Sequence, residues 1–206
     1  MNPKYYSLPE EKQRRILNAG FHVFAKDSYK KSSMQEIADK AGISKSLLFH
    51  YFKNKKELYL FLFDSCCAIT VKKMEESGTY EQKDLFASID EGTKVKMALM
   101  KEYPDMAVFA IRAFYEDDPE VSGDVKQSME RYLSIHARRK LEEVDPEEFK
   151  DGIDLKMMYK EMYWASHGYL FELLQQGKID FEKMEEDYKK LLAFWKSVYL
   201  RKDEDE

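Results

Sequence analysis

Glycine and proline are scarce, eight and five in 206 residues. Alternating strand-like runs joined by hairpin dipeptides are missing as well, which sets aside an all-β architecture. Cysteine is nearly absent. The two present, Cys66 and Cys67, are adjacent, and neighbours on one helix point apart, so they make no disulfide framework. Two small buried residues is the plain reading of the pair, and a redox switch is the alternative. No apolar run nears the roughly 18 residues that span a bilayer; the longest, LYLFLF at 58–63, is far shorter. The N-terminal basic residues are followed by no apolar leader, so a cytoplasmic location with no membrane partner is expected. The four histidines, His22, His50, His136 and His167, lack metal-ligand spacing. No Gly-rich phosphate loop, HExxH, CxxC or GxSxG occurs. No metal, no cofactor and no catalytic constellation is therefore expected, and the chain reads as a binder rather than an enzyme.

What is present is charge and helical punctuation. Hydrophobic residues make up 44% of the chain, enough for a real core, and charged residues 35%, enough for well-solvated faces. The charge is unevenly placed. Residues 1–63 hold 12 Lys/Arg against 6 Asp/Glu, whereas the remainder holds 22 against 33. A basic head on an acidic body points to a polyanionic partner for the head alone.

The head breaks into helices at recognisable signals. SLPE (7–10) offers Ser7 as a cap, with Pro9 in the first turn and Glu10 three residues on. Ile16, Ala19, Val23 and Phe24 form the stripe that follows, and Gly20 permits close approach. SMQE (33–36) is a capping-box pattern, followed by Met34, Ile37, Ala38 and Ala41 at helical spacing. Gly42 stands where a helix end favours a left-handed residue, and Ser44 can cap what comes next. NKKE (54–57) is another capping box, with Leu58, Phe61 and Leu62 facing inward. A helix, a Gly-containing turn and a short second helix make a helix-turn-helix, whose second helix enters the DNA major groove. In that second helix, about 44–51, Leu48 and Phe52 face the scaffold. Lys45, Ser46, Phe49 and His50 fall on the other side.

ILNAGFHVFAKDSY, SSMQEIADKAGIS and KSLLFHYFKNKKEL together resemble the DNA-binding domain of the TetR (tetracycline-repressor-like) family over residues 10–63. The resemblance implies an all-α protein. A three-helix helix-turn-helix domain at residues 1–63 would be followed at 64–206 by a larger helical domain for effector binding and dimerisation. It implies a homodimeric repressor that binds a near-palindromic operator and is released by a small-molecule effector. An activator or a ligand-independent DNA binder is the alternative, and a helical protein-interaction module is the alternative of another class. Residue by residue, Lys45 could donate to a guanine edge or a phosphate, and Phe49 could pack on sugar or a thymine methyl. Ser44 and Ser46 suit phosphate at a helix N-terminus. His50 could donate to phosphate or to a base edge. Ser33 resembles the family's threonine, both cap and phosphate contact, and Lys55 resembles the lysine that meets the DNA backbone. Tyr51 could place its hydroxyl on phosphate or pack half-buried. The family usually carries tyrosine near position 49 and glycine near 46. Phe49 and Ser46 depart from that pattern, which loses one hydroxyl and could alter sequence preference.

The acidic body is helical by the same signals, with breaks at TYEQKDLF (79–86), Pro104, DDPE (117–120), DPEE (145–148) and Gly177, and a frayed tail, RKDEDE. Met106, Phe109, Arg112, Tyr132, His136 and His167 are the candidates for the effector pocket that the resemblance implies, the alternative being that the methionines and aromatics are core at helical spacing. For Arg112, holding an anionic ligand competes with an ion pair to Glu116 one turn on. Two long closing helices, 154–176 and 181–201, carry wide apolar surfaces. Met158, Met162, Tyr169, Leu191, Trp195 and Val198 are the candidates for a dimer interface, the alternative being that these stripes serve the monomer's own core.

Overall fold

The computed structural model describes residues 3–142, 144–176 and 180–201. Among the described residues ten α-helices follow one another: α1 (Pro3–Tyr6), α2 (Glu10–Lys26), α3 (Met34–Ala41), α4 (Lys45–Tyr51), α5 (Lys55–Glu76), α6 (Leu85–Glu102), α7 (Pro104–Phe114), α8 (Ser122–Leu141), α9 (Leu155–Gln175) and α10 (Phe181–Tyr199). A short 3₁₀ turn at Pro146–Glu148 precedes α9. The all-α architecture is the one expected. The expected break at Gly177 and residues 202–206 of the expected tail lie outside the described residues.

Several helix starts are set by side-chain caps. Ser33 accepts from the Gln35 N–H at 3.1 Å, and Asp180 accepts from the Glu182 and Lys183 N–H groups, both at 3.1 Å. At α5, Asn54 accepts from the Glu57 N–H at 2.7 Å while the Glu57 carboxylate reaches back to the Lys53 N–H at 2.9 Å. Each satisfies backbone donors that a helix start otherwise leaves unpaired. Ser7 behaves differently from expectation. Its hydroxyl donates back to the Lys4 carbonyl and closes α1, so α2 begins after Pro9 without a side-chain cap.

The chain packs as two compact units: residues 1–71 with 99–132, and residues 72–98 with 133–206. The first unit therefore holds more than the head. Helix α2 buries Ile16, Ala19, Val23 and Phe24 as its stripe predicts. Gly20 is needed for the approach to α5, since a Cβ there would lie 2.6 Å from Leu62 Cδ1. Phe109 of α7 sits among Phe21, Phe24 and Tyr59, with ring centroids 5.2–6.0 Å apart. Polar ties join the same parts. The Tyr29 N–H donates to Glu116 at 2.7 Å, His22 meets Asp105 at 2.9 Å, and Lys56 pairs with Asp124 at 2.7 Å.

The second unit is built around Leu85, Phe86, Val144, Phe149, Met158, Met162 and Trp195, with Leu191, Leu192 and Tyr199 packed against them. Met158, Met162 and Trp195, candidates for a dimer interface, are thus core residues of the unit itself. The apolar side chains that α9 and α10 leave exposed are others. Met157 and Trp164 project from α9, and Phe194 and Val198 from α10. Of the six candidates only Val198 belongs to this exposed set. Leu191 packs partly against the core, and the Tyr169 hydroxyl donates to Asp187 at 2.9 Å.

Candidate nucleic-acid interface

The turn between α3 and α4 is held by backbone geometry. Gly42 adopts φ 66° and ψ 39°, a left-handed conformation that L side chains resist. There its N–H donates to Asp39 O at 3.1 Å while the Ile43 N–H returns to Ala38 O at 3.0 Å, closing the last carbonyls of α3. One residue later Ser44 takes an extended conformation and accepts from the Leu47 N–H at 3.2 Å, starting α4. Three residues, Gly42, Ile43 and Ser44, thus suffice to end one helix, turn and begin another.

What seats α4 is a set of rings. Leu48 and Phe52 are fully buried. Phe52 lies 5.1 Å from Phe61 of α5 and 5.7 Å from Tyr5 of α1. Helix α1 was not anticipated from the sequence, although Pro3 at its first position and the Tyr5–Tyr6 pair were visible signals. Tyr5 is buried, donates its hydroxyl to Gln13 O at 3.0 Å, and so ties the N-terminus to α2 beneath the end of α4.

With that face occupied, Lys45, Ser46, Phe49 and His50 all stand exposed together. Phe49 is 39% exposed, an aromatic left in water by a fold that buries most of its other rings. Ser46 and Ser44 share a hydrogen bond of 3.0 Å across the first turn, where backbone N–H groups point outward. Tyr51 is buried, which favours the packing role over a hydroxyl reaching outward. Ser33 is exposed at the start of α3 while serving as its cap.

Lys55 differs from a simple outward-facing cation. Its ammonium donates to the carbonyls of Lys30 and Ser32, both at 3.3 Å, and stands 4.5 Å from the Tyr29 ring centroid. It holds the loop that leads into Ser33.

The residues named for an effector pocket separate. Met106 and Phe109 are buried in the first unit, Phe109 as the centre of an aromatic cluster. Arg112 is exposed and makes no ion pair among the described residues. The expected partner, Glu116, instead accepts from the Tyr29 and Asp118 N–H groups at 2.7 and 3.2 Å. Tyr132 closes the first unit, half-buried. His136 and His167 belong to the second unit. The Tyr80 hydroxyl lies 2.6 Å from His136 Nδ1. Burial, with Lys96, Lys140 and Arg139 adding repulsion, pushes the His136 imidazole down to about 3, and burial with Lys96 pushes His167 to about 4. Both are neutral at pH 7. Lys96 and Lys140, the cations behind these shifts, carried no signal in the sequence.

Comparison with known proteins agrees with this geometry. Residues 16–61 match the family model for bacterial regulatory proteins of the tetR family. The chain is 22% identical over 152 residues to the fatty acid metabolism regulator protein of Bacillus subtilis, covering 71% of this chain and 75% of that one. Over 54 residues, 26% of this chain and 25% of the other, it is 44% identical to the transcriptional activator FasR of Mycolicibacterium smegmatis. The solved structure of the fatty acid degradation regulator FadR from Bacillus halodurans has the same fold. Its TM-score is 0.73 at 17% identity, over 87% of this chain and 96% of that one.

Proposed function

Because this chain belongs to the tetR family of bacterial regulatory proteins, we propose that it is a homodimeric, cytoplasmic repressor that a small-molecule effector releases from a near-palindromic operator. DNA-binding transcriptional regulation is the function of the family. The observation that carries the reading is the exposed face of α4, where Lys45, Ser46, Phe49 and His50 are presented by a helix whose other face is locked by Leu48 and Phe52. A helix presented in this way can enter a major groove without disturbing its scaffold. Lys45 and His50 supply donors for base edges or phosphate, Phe49 an apolar contact, and Ser44 and Ser46 small hydroxyls at the helix start.

Two heads are needed to read two half-sites. Met157, Trp164, Phe194 and Val198 supply an apolar face on which a second copy can pack. We assign the effector's site to the second unit, whose buried residues include His136, with a neutral imidazole, and Lys140 beside its apolar groups. Release then requires that the effector bind the DNA-free conformation more tightly than the bound one.

Fluorescence anisotropy with a DNA fragment from the gene's own upstream region tests this. Affinity should fall steeply with salt, and Lys45→Ala should weaken it while relaxing preference at one base position. Salt-independent binding, or an unaltered Lys45→Ala protein, would refute the assignment of α4. Transcription from the same fragment with and without protein separates repression from activation, the role of the FasR relative.

A further inference from the structure

The segment between α2 and α3, residues 27–33, ends on Ser33, the cap of α3 and a candidate phosphate contact. Its backbone has no helical ladder to bond into, so its N–H and C=O groups need other partners. Part of the answer is internal. The Ser32 N–H and hydroxyl both donate to Ser28 O, at 3.1 and 2.9 Å. The Tyr29 ring is fully buried, 5.1 Å from the Tyr59 ring of α5. Two charged side chains supply the rest, with opposite signs on opposite groups. Lys55 gives its ammonium to the carbonyls of Lys30 and Ser32. Glu116 gives its carboxylate to the Tyr29 N–H at 2.7 Å, a charge-assisted bond at the short end of the range.

The two clamps differ in origin. Lys55 belongs to the head. Glu116 stands 87 positions beyond Tyr29, on the turn that joins α7 to α8. That turn is itself fixed. The second Glu116 oxygen accepts from the Asp118 N–H at 3.2 Å, Asp118 accepts in turn from the Glu120 N–H at 2.9 Å, and Val121 behind them is fully buried. Both carboxylate oxygens thus hold backbone donors rather than Arg112 one turn back, the pairing that helical spacing suggests. A carboxylate packed against a basic head repels a polyanion through space. Its effect on DNA binding as a charge therefore has the opposite sign from its effect as a clamp, and that difference can be measured.

We propose that Glu116 is a positioning residue for DNA binding: from outside the head it fixes the Tyr29 end of the α2–α3 segment, as Lys55 fixes the Lys30–Ser32 end, and so sets Ser33 and the start of α3 against the DNA backbone. The carboxylate itself is not a DNA contact. Holding both ends removes conformational freedom that binding would otherwise have to remove, so the segment meets phosphate already in place. The α7–α8 turn is by this reading part of the DNA-binding apparatus, although it lies well beyond the helix-turn-helix in sequence. The proposal rests on the reading of Ser33 and α4 as the DNA-facing edge.

The test uses the full chain and three variants. Glu116→Gln removes the charge and leaves one acceptor oxygen for two donors. Glu116→Asp keeps the charge and withdraws the carboxylate by one methylene. Asp117→Asn removes the same charge from the exposed neighbouring residue and leaves the Tyr29 N–H its partner. Anisotropy with the upstream DNA fragment across a salt series, at a temperature where each variant is folded, gives affinity and salt slope. Hydrogen exchange over residues 28–33 of the free protein reports on the segment. Glu116→Gln and Glu116→Asp should each weaken DNA binding by about fivefold or more at every salt concentration, with an unchanged slope and faster exchange over 28–33. Asp117→Asn should bind as tightly as wild type or more tightly. Charge alone predicts tighter binding for Glu116→Gln and no change for Glu116→Asp. The proposal fails if Glu116→Gln binds as well as wild type or better, if Asp117→Asn weakens binding as much as the Glu116 variants do, or if affinity falls without faster exchange. Should Glu116→Gln fail to fold, Glu116→Asp decides by the same criteria. Lys45→Ala in the same series keeps the two readings apart. If it weakens binding and the Glu116 variants do not, the positioning role falls and the interface stands. If the Glu116 variants weaken binding and it does not, the assignment of α4 falls and the positioning role stands.

Discussion

Lys55 is the residue at which sequence and structure assign different work, so its replacement separates them. The family pattern reads it as a cation on the DNA backbone. In the fold its ammonium is already engaged by two carbonyls, at 3.3 Å each, and by the Tyr29 ring at 4.5 Å. Hydrogen bonds from a charged donor contribute about 1.5–3 kcal/mol at good geometry. These two are long and partly solvated, so roughly 0.5 kcal/mol each is the proper scale. The ring adds about 0.5–1 kcal/mol. Against this, removing a cation from a helix N-terminus recovers about 0.3–0.5 kcal/mol. Lys55→Ala should therefore cost about 1 kcal/mol of folding stability. Lys45→Ala, at an exposed position without such ties, should stay within about 0.5 kcal/mol of wild type.

The DNA-binding readout is the salt slope. A lost phosphate contact lowers the slope of log affinity against log salt by about 0.9. A residue that acts by holding the Lys30–Ser33 loop instead weakens affinity at every salt concentration and leaves the slope nearly unchanged. We expect the second pattern for Lys55→Ala, measured by urea denaturation at fixed protein concentration and by anisotropy across a salt series. A variant with wild-type stability and a slope reduced by a full unit would refute the positioning role and restore the direct contact.

Three further outcomes follow from the geometry. Lys140 sheds its proton near pH 7 when folded and near 10.5 when unfolded, so the unfolded chain holds more protons between those values. Ligand-free stability should then rise with pH, by on the order of 3 kcal/mol from pH 7 to 9.5. Lys140→Met should flatten that rise, and an equal rise in the variant would contradict the assignment. His136 works at the acid end, where its depressed pKa of about 3 makes stability fall as pH drops below 6.5. Gly20→Ala brings a Cβ to 2.6 Å from the buried Leu62. Overpacking of about 1–3 kcal/mol outweighs the roughly 1 kcal/mol that alanine adds to a helix. Net destabilisation is expected by calorimetry, partly recovered by Leu62→Val, and a stabilised Gly20→Ala would show that Leu62 yields. Phe194→Asp, at a position 59% exposed, should leave the fold intact and weaken self-association at least tenfold in sedimentation equilibrium. Unchanged association would move the dimer face elsewhere.

The head was legible because its determinants are local. A cap needs one hydroxyl within three residues, and a left-handed turn needs one glycine. Ser33, Gly42, Ser44 and Asn54 therefore announce α3, α4 and α5 without help from the rest of the chain. The division of the chain was not local. Residues 99–132 pack with the head through contacts such as Phe109 on Phe24 and Glu116 on Tyr29, more than 80 positions apart, and no composition shift marks them. Lys140 was illegible for the same reason, since whether a lysine meets a carboxylate is decided by a distant helix.

Helices α9 and α10 failed in a more instructive way. Both are apolar around much of their circumference, and periodicity cannot choose between two apolar stripes on one helix. The structure makes the choice. Met158, Met162 and Trp195 turn into the unit's own core, while Met157, Trp164, Phe194 and Val198 turn outward. A helix that needed only one partner would have no cause to carry the second stripe. Exposed apolar side chains of this size, recurring at helical spacing on each closing helix of a charged protein, point to an interaction surface. The outer stripe of both closing helices is thus better support for a second copy of the chain than the inner residues first assigned to that interface.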